Sequence, residues 1–193
     1  VLVCLDAVLS INRKYYTFVV PRIIYFQNKY PNITKLNDLI GLINDVGIND
    51  FRECWNYNHP DRVKMLYSLC KRLIKISSLY ETENELLSLR KWAFQSSVND
   101  YDYFNVIGIG FATFQYIRIL LGANTVKPDV HIKNKISEVV GRKLNDKYIV
   151  DLFETACNEL KLNTSDVEHY IWKKSANNSK EFNMVWKNNR WNE

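Results

Sequence analysis

The stretch YDYFNVIGIGFATFQYIRILLGANTVKPDVHIKNKISEVV, at positions 101–140, contains two turns between apolar helical segments. The first turn is Gly108–Gly110, where glycine predicts a positive φ or a close approach of the backbone. The second is Lys127–Asp129, in which Asp129 precedes an apolar helical period and is predicted to be a helix N-cap. Each turn alone is most often a packing or capping feature, so the functional prediction depends on the two together.

The composition is that of a globular protein with a modest positive charge. The chain has 193 residues, 47% hydrophobic and 24% charged, with only four prolines and six glycines. So few turn-forming residues argue against an all-β fold. The net charge of +5 is compatible with a polyanionic partner, but a basic soluble protein of another kind would have the same charge.

Apolar residues recur at helical spacing along the chain, and no segment alternates as a strand does. About ten helices are expected, so the fold class is all-α. The segment at 61–78 shows the pattern well, because one face is apolar while the opposite face is basic. A basic helix face is more often solvated than bound to DNA.

The cysteines and apolar runs exclude several other classes. Cys4, Cys54, Cys70 and Cys157 do not have the spacing of a zinc or iron–sulfur site, so no metal is expected. No run of 18 apolar residues indicates a transmembrane helix. The apolar N-terminus has no basic segment ahead of it and is a poor signal peptide. An intracellular location, in the cytoplasm, nucleoid or nucleus, is therefore expected.

The segments VIGIGFAT at 106–113 and KPDVHI at 127–132, with an apolar helix to Leu121 between them, resemble a known signature. They are similar to the glycine hairpin and the following D-x-H of the helix-hairpin-helix (HhH-GPD) DNA glycosylase superfamily. The resemblance is specific over about forty residues. It implies a two-lobed helical fold with a cleft between the lobes. The expected parts are a central lobe at 14–125 ending in the hairpin, a second lobe from 1–13 plus 126–174, and a polar tail at 175–193.

The resemblance also implies residues that bind double-stranded DNA carrying a damaged or modified base. The hairpin turn would hold a phosphate, with a monovalent cation at the turn when DNA is bound. Asn12 would be a wedge inserted into the duplex, with Arg13 nearby for a phosphate, although a solvated helix end is an equal reading of these two residues. The DNA-binding residues expected are Ile107, Gly108, Ile109, Gly110, Ala112, Asn12, Arg13 and Lys127.

The chemistry that the resemblance implies is centred on Asp129, the catalytic carboxylate, with His131 as an orienting residue. Ala112 stands where bifunctional members have a lysine, and alanine cannot form an imine. The expected enzyme is therefore a monofunctional DNA N-glycosylase that uses water and has no lyase activity. Ile107 replaces the usual proline of the turn, and no iron–sulfur loop is present. Asp6 matches a carboxylate that the adenine-specific branch uses in its first core helix.

Two alternatives remain open at the level of sequence. One is a helix-hairpin-helix protein that binds DNA without catalysis, in which Asp129 would be only a cap. The other is a restriction- or defence-type glycosylase acting on normal or hypermodified bases. In each case the protein is expected to be a monomer without a required cofactor, and the base it recognises is not assigned.

Overall fold

The computed structural model describes residues 1–175, and within this range the chain is all-α, as predicted. It has eleven α-helices, a π-helix at Tyr15–Val19, a 3₁₀ helix at Val98–Asp100 and no strand among these residues. Apart from Ser175, the predicted tail at 175–193 lies outside the described residues. The α-helices are α1 (Leu2–Leu9), α2 (Val20–Lys29), α3 (Leu36–Val46), α4 (Arg52–Trp55), α5 (Pro60–Ser77), α6 (Glu85–Gln95), α7 (Tyr101–Phe104), α8 (Phe111–Leu120), α9 (Val130–Val140), α10 (Asp146–Glu159) and α11 (Thr164–Ser175).

The chain divides into two compact units, the first at Val1–Ala123 and the second beginning at Asn124. Helix α1 belongs to the first unit, where it packs against α2, α5 and α8. The predicted lobes grouped residues 1–13 with 126–174 instead, so the observed division differs at the N-terminus. The apolar run of α1 explains this, because residues 4–9 are all buried in the core of the first unit.

Helix α5 is the longest helix of the first unit and packs against α1, α3 and α6. Pro60 lies at its start, where a proline loses no helical hydrogen bond. Its apolar stripe is buried as the sequence predicted, while Lys64, Lys71 and Lys75 are exposed. The buried residues of this stripe are Val63, Leu66, Leu69, Cys70, Leu73 and Ile76.

Helix α8 is fixed to the end of α6 by a buried arginine. The Arg118 guanidinium donates to the backbone carbonyls of Ala93, at 3.5 Å, and Ser96. It also donates to the Gln115 side-chain oxygen at 2.6 Å. Carbonyls at a helix end lack helical partners, so a cation is well placed there. These bonds hold α8, and with it the glycine turn that precedes it.

The second unit contains α9, α10 and α11, which pack against one another. Helices α9 and α10 begin at Asp129 and Asn145, whose side chains accept hydrogen bonds from the first-turn amides. Lys133 and Asp146 join these two helices by an ion pair of 2.7 Å. Gly141 ends α9 with a φ of +76°, a value that glycine adopts without strain. Across residues 1–175 there is no helix long and apolar enough to cross a membrane.

Candidate functional site

The glycine turn connects a very short helix to α8. Helix α7 is a single turn that follows the 3₁₀ helix, so the first arm of the hairpin is short. The Ile109 amide donates to the Val106 carbonyl at 3.1 Å and closes the turn. Val106 and Ile109 are buried, whereas Ile107 is 85% exposed. The two buried side chains anchor the turn and leave its tip open to solvent.

The two glycines of the turn have different constraints. Gly108 has a φ of +82°, and a Cβ there would lie 2.1 Å from the Met65 Cε. Gly110 has a φ of −80°, and a Cβ there would meet nothing within 4 Å. The fold itself therefore requires a glycine at position 108. Any need for a glycine at position 110 must come from something that approaches the turn from outside.

The N-terminus of α8 has no side-chain cap. Its first bond runs from the Phe114 amide to the Gly110 carbonyl at 2.9 Å, so the amides of Phe111, Ala112 and Thr113 precede the helical ladder. Such amides point along the helix axis and attract anions. Gly108 and Gly110 are both exposed, so the turn that precedes α8 is open to solvent.

Asn12 and Arg13 lie in a loop just beyond the end of α1. Helix α5 contacts both the start of this loop and the glycine turn. Asn12 is exposed with a φ of +56°. The Arg62 guanidinium donates to the Ile11 carbonyl at 3.2 Å, just before this loop. One helical turn later, Met65 lies against Gly108. The predicted DNA-binding residues of the first unit are therefore held at the same part of α5.

Arg13 is part of an arginine–aromatic cluster formed with Phe18, Arg22 and Tyr57. The Arg13 guanidinium donates to the Tyr57 hydroxyl at 3.0 Å and lies 5.3 Å from the centre of the Phe18 ring. The Arg22 guanidinium lies on the same ring at 3.6 Å and donates to the Asn56 carbonyl at 2.9 Å. Two arginines held on one aromatic pair form a positive surface.

Arg22 was not among the predicted residues. The Arg22 side chain is positioned by its hydrogen bond to the Asn56 carbonyl. Asn56 has a φ of +53° and immediately precedes Tyr57. Burial lowers the pKa of the Arg22 guanidinium, Tyr57 counteracts this, and the nearby charge of Arg13 lowers it further. The sequence carries no local signal for this cluster, because its members come from segments more than thirty residues apart.

Asp129 is the N-cap of α9, as the sequence predicted. Its Oδ1 accepts hydrogen bonds from the amides of His131 at 2.9 Å and Ile132 at 3.1 Å. The preceding turn is closed by the Asp129 amide, which donates to the Lys127 carbonyl at 2.8 Å across the buried Pro128. Within residues 1–175 the second oxygen, Oδ2, accepts no hydrogen bond. The helix amides thus fix Oδ1 of the carboxylate, and Oδ2 can bind a ligand or water.

His131 is half-buried in the first turn of α9. Its backbone amide binds Asp129, so residue 131 positions the carboxylate through its main chain. In the described part of the chain its imidazole has no hydrogen-bond partner. The orienting role predicted for this side chain stays a prediction.

Glu168, on α11, is a residue of this region that the sequence analysis missed. It is only 9% exposed, and burial raises the pKa of its carboxyl group to about 7. Asp129 raises this pKa further, while Lys127 lowers it, so both residues act electrostatically on Glu168. A polar residue in an amphipathic helix gives no sequence signal that it points inward, and the nearby buried Thr164 is the only local hint.

Asp6 is buried in the first unit and bound by three hydroxyl groups. Ser10 and Tyr116 donate to its Oδ1 at 2.8 Å each, and Tyr15 donates to its Oδ2 at 2.9 Å. Burial raises the pKa of Tyr116 well above its usual value, and raises that of Tyr15 as well, with the Asp6 charge adding to both. Because both carboxylate oxygens are engaged, Asp6 is suited to joining α1 to α8.

The predicted site residues fall into two groups, one in each unit. Residues 107–112 together with Asn12 and Arg13 belong to the first unit, and Lys127, Asp129 and His131 to the second. No group of three or more His, Cys, Asp or Glu residues suited to a metal ion occurs at positions 1–175. All four cysteines are buried and have free thiol groups.

Comparison with known proteins gives one match. A family model described as a domain of unknown function (DUF8548) matches residues 106–176, which is less than half of the chain. The matched segment begins at the glycine turn, contains Lys127, Asp129 and Glu168, and reaches the end of α11. It does not include Asn12 or Arg13. No curated protein and no solved structure matches the chain.

Proposed function

We propose that this protein is a monofunctional DNA N-glycosylase with a two-lobed helix-hairpin-helix fold. The observation that carries the proposal is the state of Asp129. One oxygen of its carboxylate is held by the first amides of α9, and the other accepts no hydrogen bond from residues 1–175. The same part of the chain contains an exposed glycine turn, followed by helix amides that have no side-chain cap and suit a phosphate.

The glycine turn would bind the DNA backbone. Amides near Gly108 and Gly110 and at the start of α8 can point at a phosphate oxygen, and the dipole of α8 favours the negative charge. A monovalent cation at the turn would add to this attraction when DNA is bound. Such a contact fixes the position of the protein on the duplex and carries no sequence information.

The arginine–aromatic cluster and the Asn12 loop would contact the duplex on the same side of the first unit. Arg13 and Arg22 provide charge for phosphates, and Phe18 and Tyr57 provide flat surfaces on which a base can stack. Asn12 is exposed at a sharp turn and is the candidate wedge where the target base leaves the stack. The expected partner is double-stranded DNA with a damaged or modified base, bound by a protein monomer in an intracellular compartment.

Asp129 would act on the flipped nucleotide. Breaking the bond between the base and the sugar builds positive charge on the deoxyribose, and a nearby carboxylate stabilises that charge. The same carboxylate can orient the attacking water and accept its proton. Since Ala112 offers no amine, water completes the reaction and leaves an abasic site without strand cleavage.

DNA binding without catalysis is the second candidate function. The observation that favours it is that the glycine turn and the arginine–aromatic cluster both belong to the first unit, whereas Asp129 belongs to the second. DNA binding by the first unit requires no reaction at Asp129. In that case Asp129 serves only as the cap of α9.

Base release from a panel of duplexes tests the two candidates. The panel carries uracil, 8-oxoguanine, alkylated purines, A·G mismatches and hypermodified cytosines beside unmodified DNA. Asp129→Asn is the main variant, because asparagine caps a helix as well as aspartate does and leaves the fold intact. Asp151→Asn, at an exposed aspartate of α10 in the second unit, is the matched control.

Release by wild type and by the control but not by Asp129→Asn is the expected result. Release of normal or hypermodified bases would indicate a restriction- or defence-type enzyme. Unchanged release by Asp129→Asn would exclude the proposed mechanism. If no protein releases a base, DNA affinity decides. Gly110→Ala should then weaken binding roughly tenfold while keeping full stability, because its Cβ meets no protein atom.

A further inference from the structure

Helix α5 carries most of the excess positive charge of the chain. Its 18 residues include five basic side chains and one acidic side chain, which gives a net charge of +4, against +5 for the whole chain. Lys64, Lys71 and Lys75 are the exposed lysines of this helix. Their spacing places them on one face, in a row roughly 16 Å long at about 1.5 Å per residue. These three residues are called the lysine row below.

The lysine row runs beside the segment that contains the glycine turn. Met65 lies against Gly108, because a Cβ at position 108 would be 2.1 Å from the Met65 Cε. Two helical turns later, the Arg72 guanidinium donates to the Tyr103 carbonyl at 2.6 Å, near the end of α7. Each of these two contacts comes directly after a lysine of the row, and consecutive residues of a helix are about 100° apart around its axis. The lysine row therefore borders the glycine turn.

The charges of Lys71 and Lys75 are not neutralised by the described part of the chain. Neither ammonium group pairs with a carboxylate of residues 1–175. The Lys71 ammonium lies 4.8 Å from the centre of the Tyr67 ring, which orients the charge without neutralising it. Lys64 differs, because it pairs with Asp61 at 3.1 Å. Both of those side chains are exposed, at 63% and 79%, so their ion pair is weak and Lys64 can bind another partner.

The place of the lysine row beside the turn is what favours a ligand over a solvated helix face. Protein surfaces usually intersperse charges of both signs, whereas Asp61, near the start of the helix, is the acidic residue of α5. A strand of duplex DNA carries one phosphate for each 3.4 Å of axis, so a row of roughly 16 Å spans about five nucleotides. The phosphates next to one held at the glycine turn would thus meet a surface of matching charge and length.

We propose that the lysine row of α5 is a second binding surface for the DNA backbone, and that it holds phosphates next to the one at the glycine turn. This inference rests on the proposed DNA binding by the first unit and does not depend on catalysis at Asp129. Lysine binds a phosphate as a point charge and reads no base. The row therefore adds affinity and salt dependence, and the choice of base belongs to other residues.

Binding of an unmodified duplex over a range of salt concentrations tests this surface. Lys71→Gln is the main variant, since Lys75 lies in the last turn of α5, where a cation also favours the helix dipole. Losing one phosphate contact should lower the slope of log affinity against log salt by about 0.9 and weaken binding roughly fivefold at low salt. The double variant with Lys75→Gln should lower the slope by about 1.8. The losses should be equal for modified and unmodified duplexes.

Two further variants separate a binding surface from a loss of structure or of net charge. Asp61→Asn removes the acid beside the row and releases Lys64, so it should tighten binding roughly threefold at low salt. A damaged fold would not bind DNA more tightly. Lys91→Gln is the matched control, because Lys91 is an exposed lysine of α6 and lies 5.9 Å from the Tyr80 ring, much as Lys71 lies over a tyrosine. This control makes the same change of charge and should leave the slope unchanged.

Three outcomes would overturn the proposal. An unchanged slope for Lys71→Gln would remove the row from the interface. An equal decrease for Lys91→Gln would mean that net charge alone had been measured. Unchanged or weaker binding by Asp61→Asn would show that no phosphate approaches this face. Wild type that binds no duplex would overturn the proposed function itself, whereas a loss for Gly110→Ala with none for Lys71→Gln would overturn only the role of the row.

Discussion

Asp6 in the first unit and Glu168 in the second are buried to a similar extent but differ in the number of hydrogen bonds that they accept. Their exposures are 6% and 9%. Asp6 receives hydrogen bonds from three hydroxyl groups, while Glu168 receives none from residues 1–175. Donors offset the cost of burying a carboxylate, so Asp6 can serve as a permanent link between helices. Burial alone therefore does not predict how a carboxyl group is stabilised, and the number of hydrogen-bond donors around it is the more informative quantity.

The largest expected effect is at the satisfied carboxylate. Asp6→Ala removes the acceptor of Ser10, Tyr15 and Tyr116 and should lower the free energy of unfolding by about 3–5 kcal/mol. Urea denaturation of the variant beside wild type measures this. Asp45→Ala, at an exposed aspartate of α3, should stay within about 0.5 kcal/mol. A loss below about 1 kcal/mol at Asp6 would mean that its hydrogen bonds add little to stability.

The second effect is a pH dependence that comes from Glu168. Glu168 keeps its proton up to a pH of about 7 in the folded protein, whereas a solvated glutamate loses it near 4.5. The folded state thus binds the proton more tightly. The stability due to Glu168 is fully present below pH 4.5 and is lost as the pH rises through about 7. The loss amounts to roughly 3 kcal/mol at about 1.4 kcal/mol per pKa unit.

Glu168→Gln removes this titration. The variant should match the trend of wild type at low pH and gain about 3 kcal/mol relative to it by pH 8. Unfolding by urea at a series of pH values measures the difference. Glu159→Gln should run parallel to wild type throughout. A constant difference between Glu168→Gln and wild type at every pH would show that residue 168 titrates alike in the folded and unfolded states.

The smallest effects are expected at the tyrosines that bind Asp6. Tyr15→Phe and Tyr116→Phe should each cost about 1–2 kcal/mol, because each removes one hydrogen bond to a charged group. The double variant should depart from the sum of the two, since both hydroxyls bind one carboxylate. Tyr103→Phe, at a side chain that is 77% exposed, is the control. Additive losses would mean that the two hydroxyls act independently.

The helices and several of their boundaries could be predicted from local sequence. The period of apolar residues gave the buried stripe of α5, and the Pro-Asp pair before an apolar period gave Asp129 as the cap of α9. Gly141 ends α9, which is consistent with the preference for glycine just after a helix. These features depend on residues within one or two helical turns, so the sequence contains the information directly.

Features that join distant segments could not be predicted. The three hydroxyls at Asp6 come from positions up to 110 residues away, and the Arg22–Asn56 bond spans 34 residues. The π-helix at Tyr15–Val19 was also not predicted, because an apolar helical period does not distinguish a π-helix from an α-helix. The burial of Glu168 could not be predicted either. The helical period of apolar residues does not show which of the polar residues on the helix are buried by neighbouring elements.

The bond between Tyr116 and Asp6 also bears on the order in which the first unit folds. The two residues are 110 positions apart, so the contact closes only after most of the unit is in place. During synthesis the N-terminus leaves the ribosome first, so α1 cannot contact α8 until position 116 has also left the ribosome. Long-range contacts of this kind slow folding, and a nascent chain halted before α8 would expose the apolar face of α1.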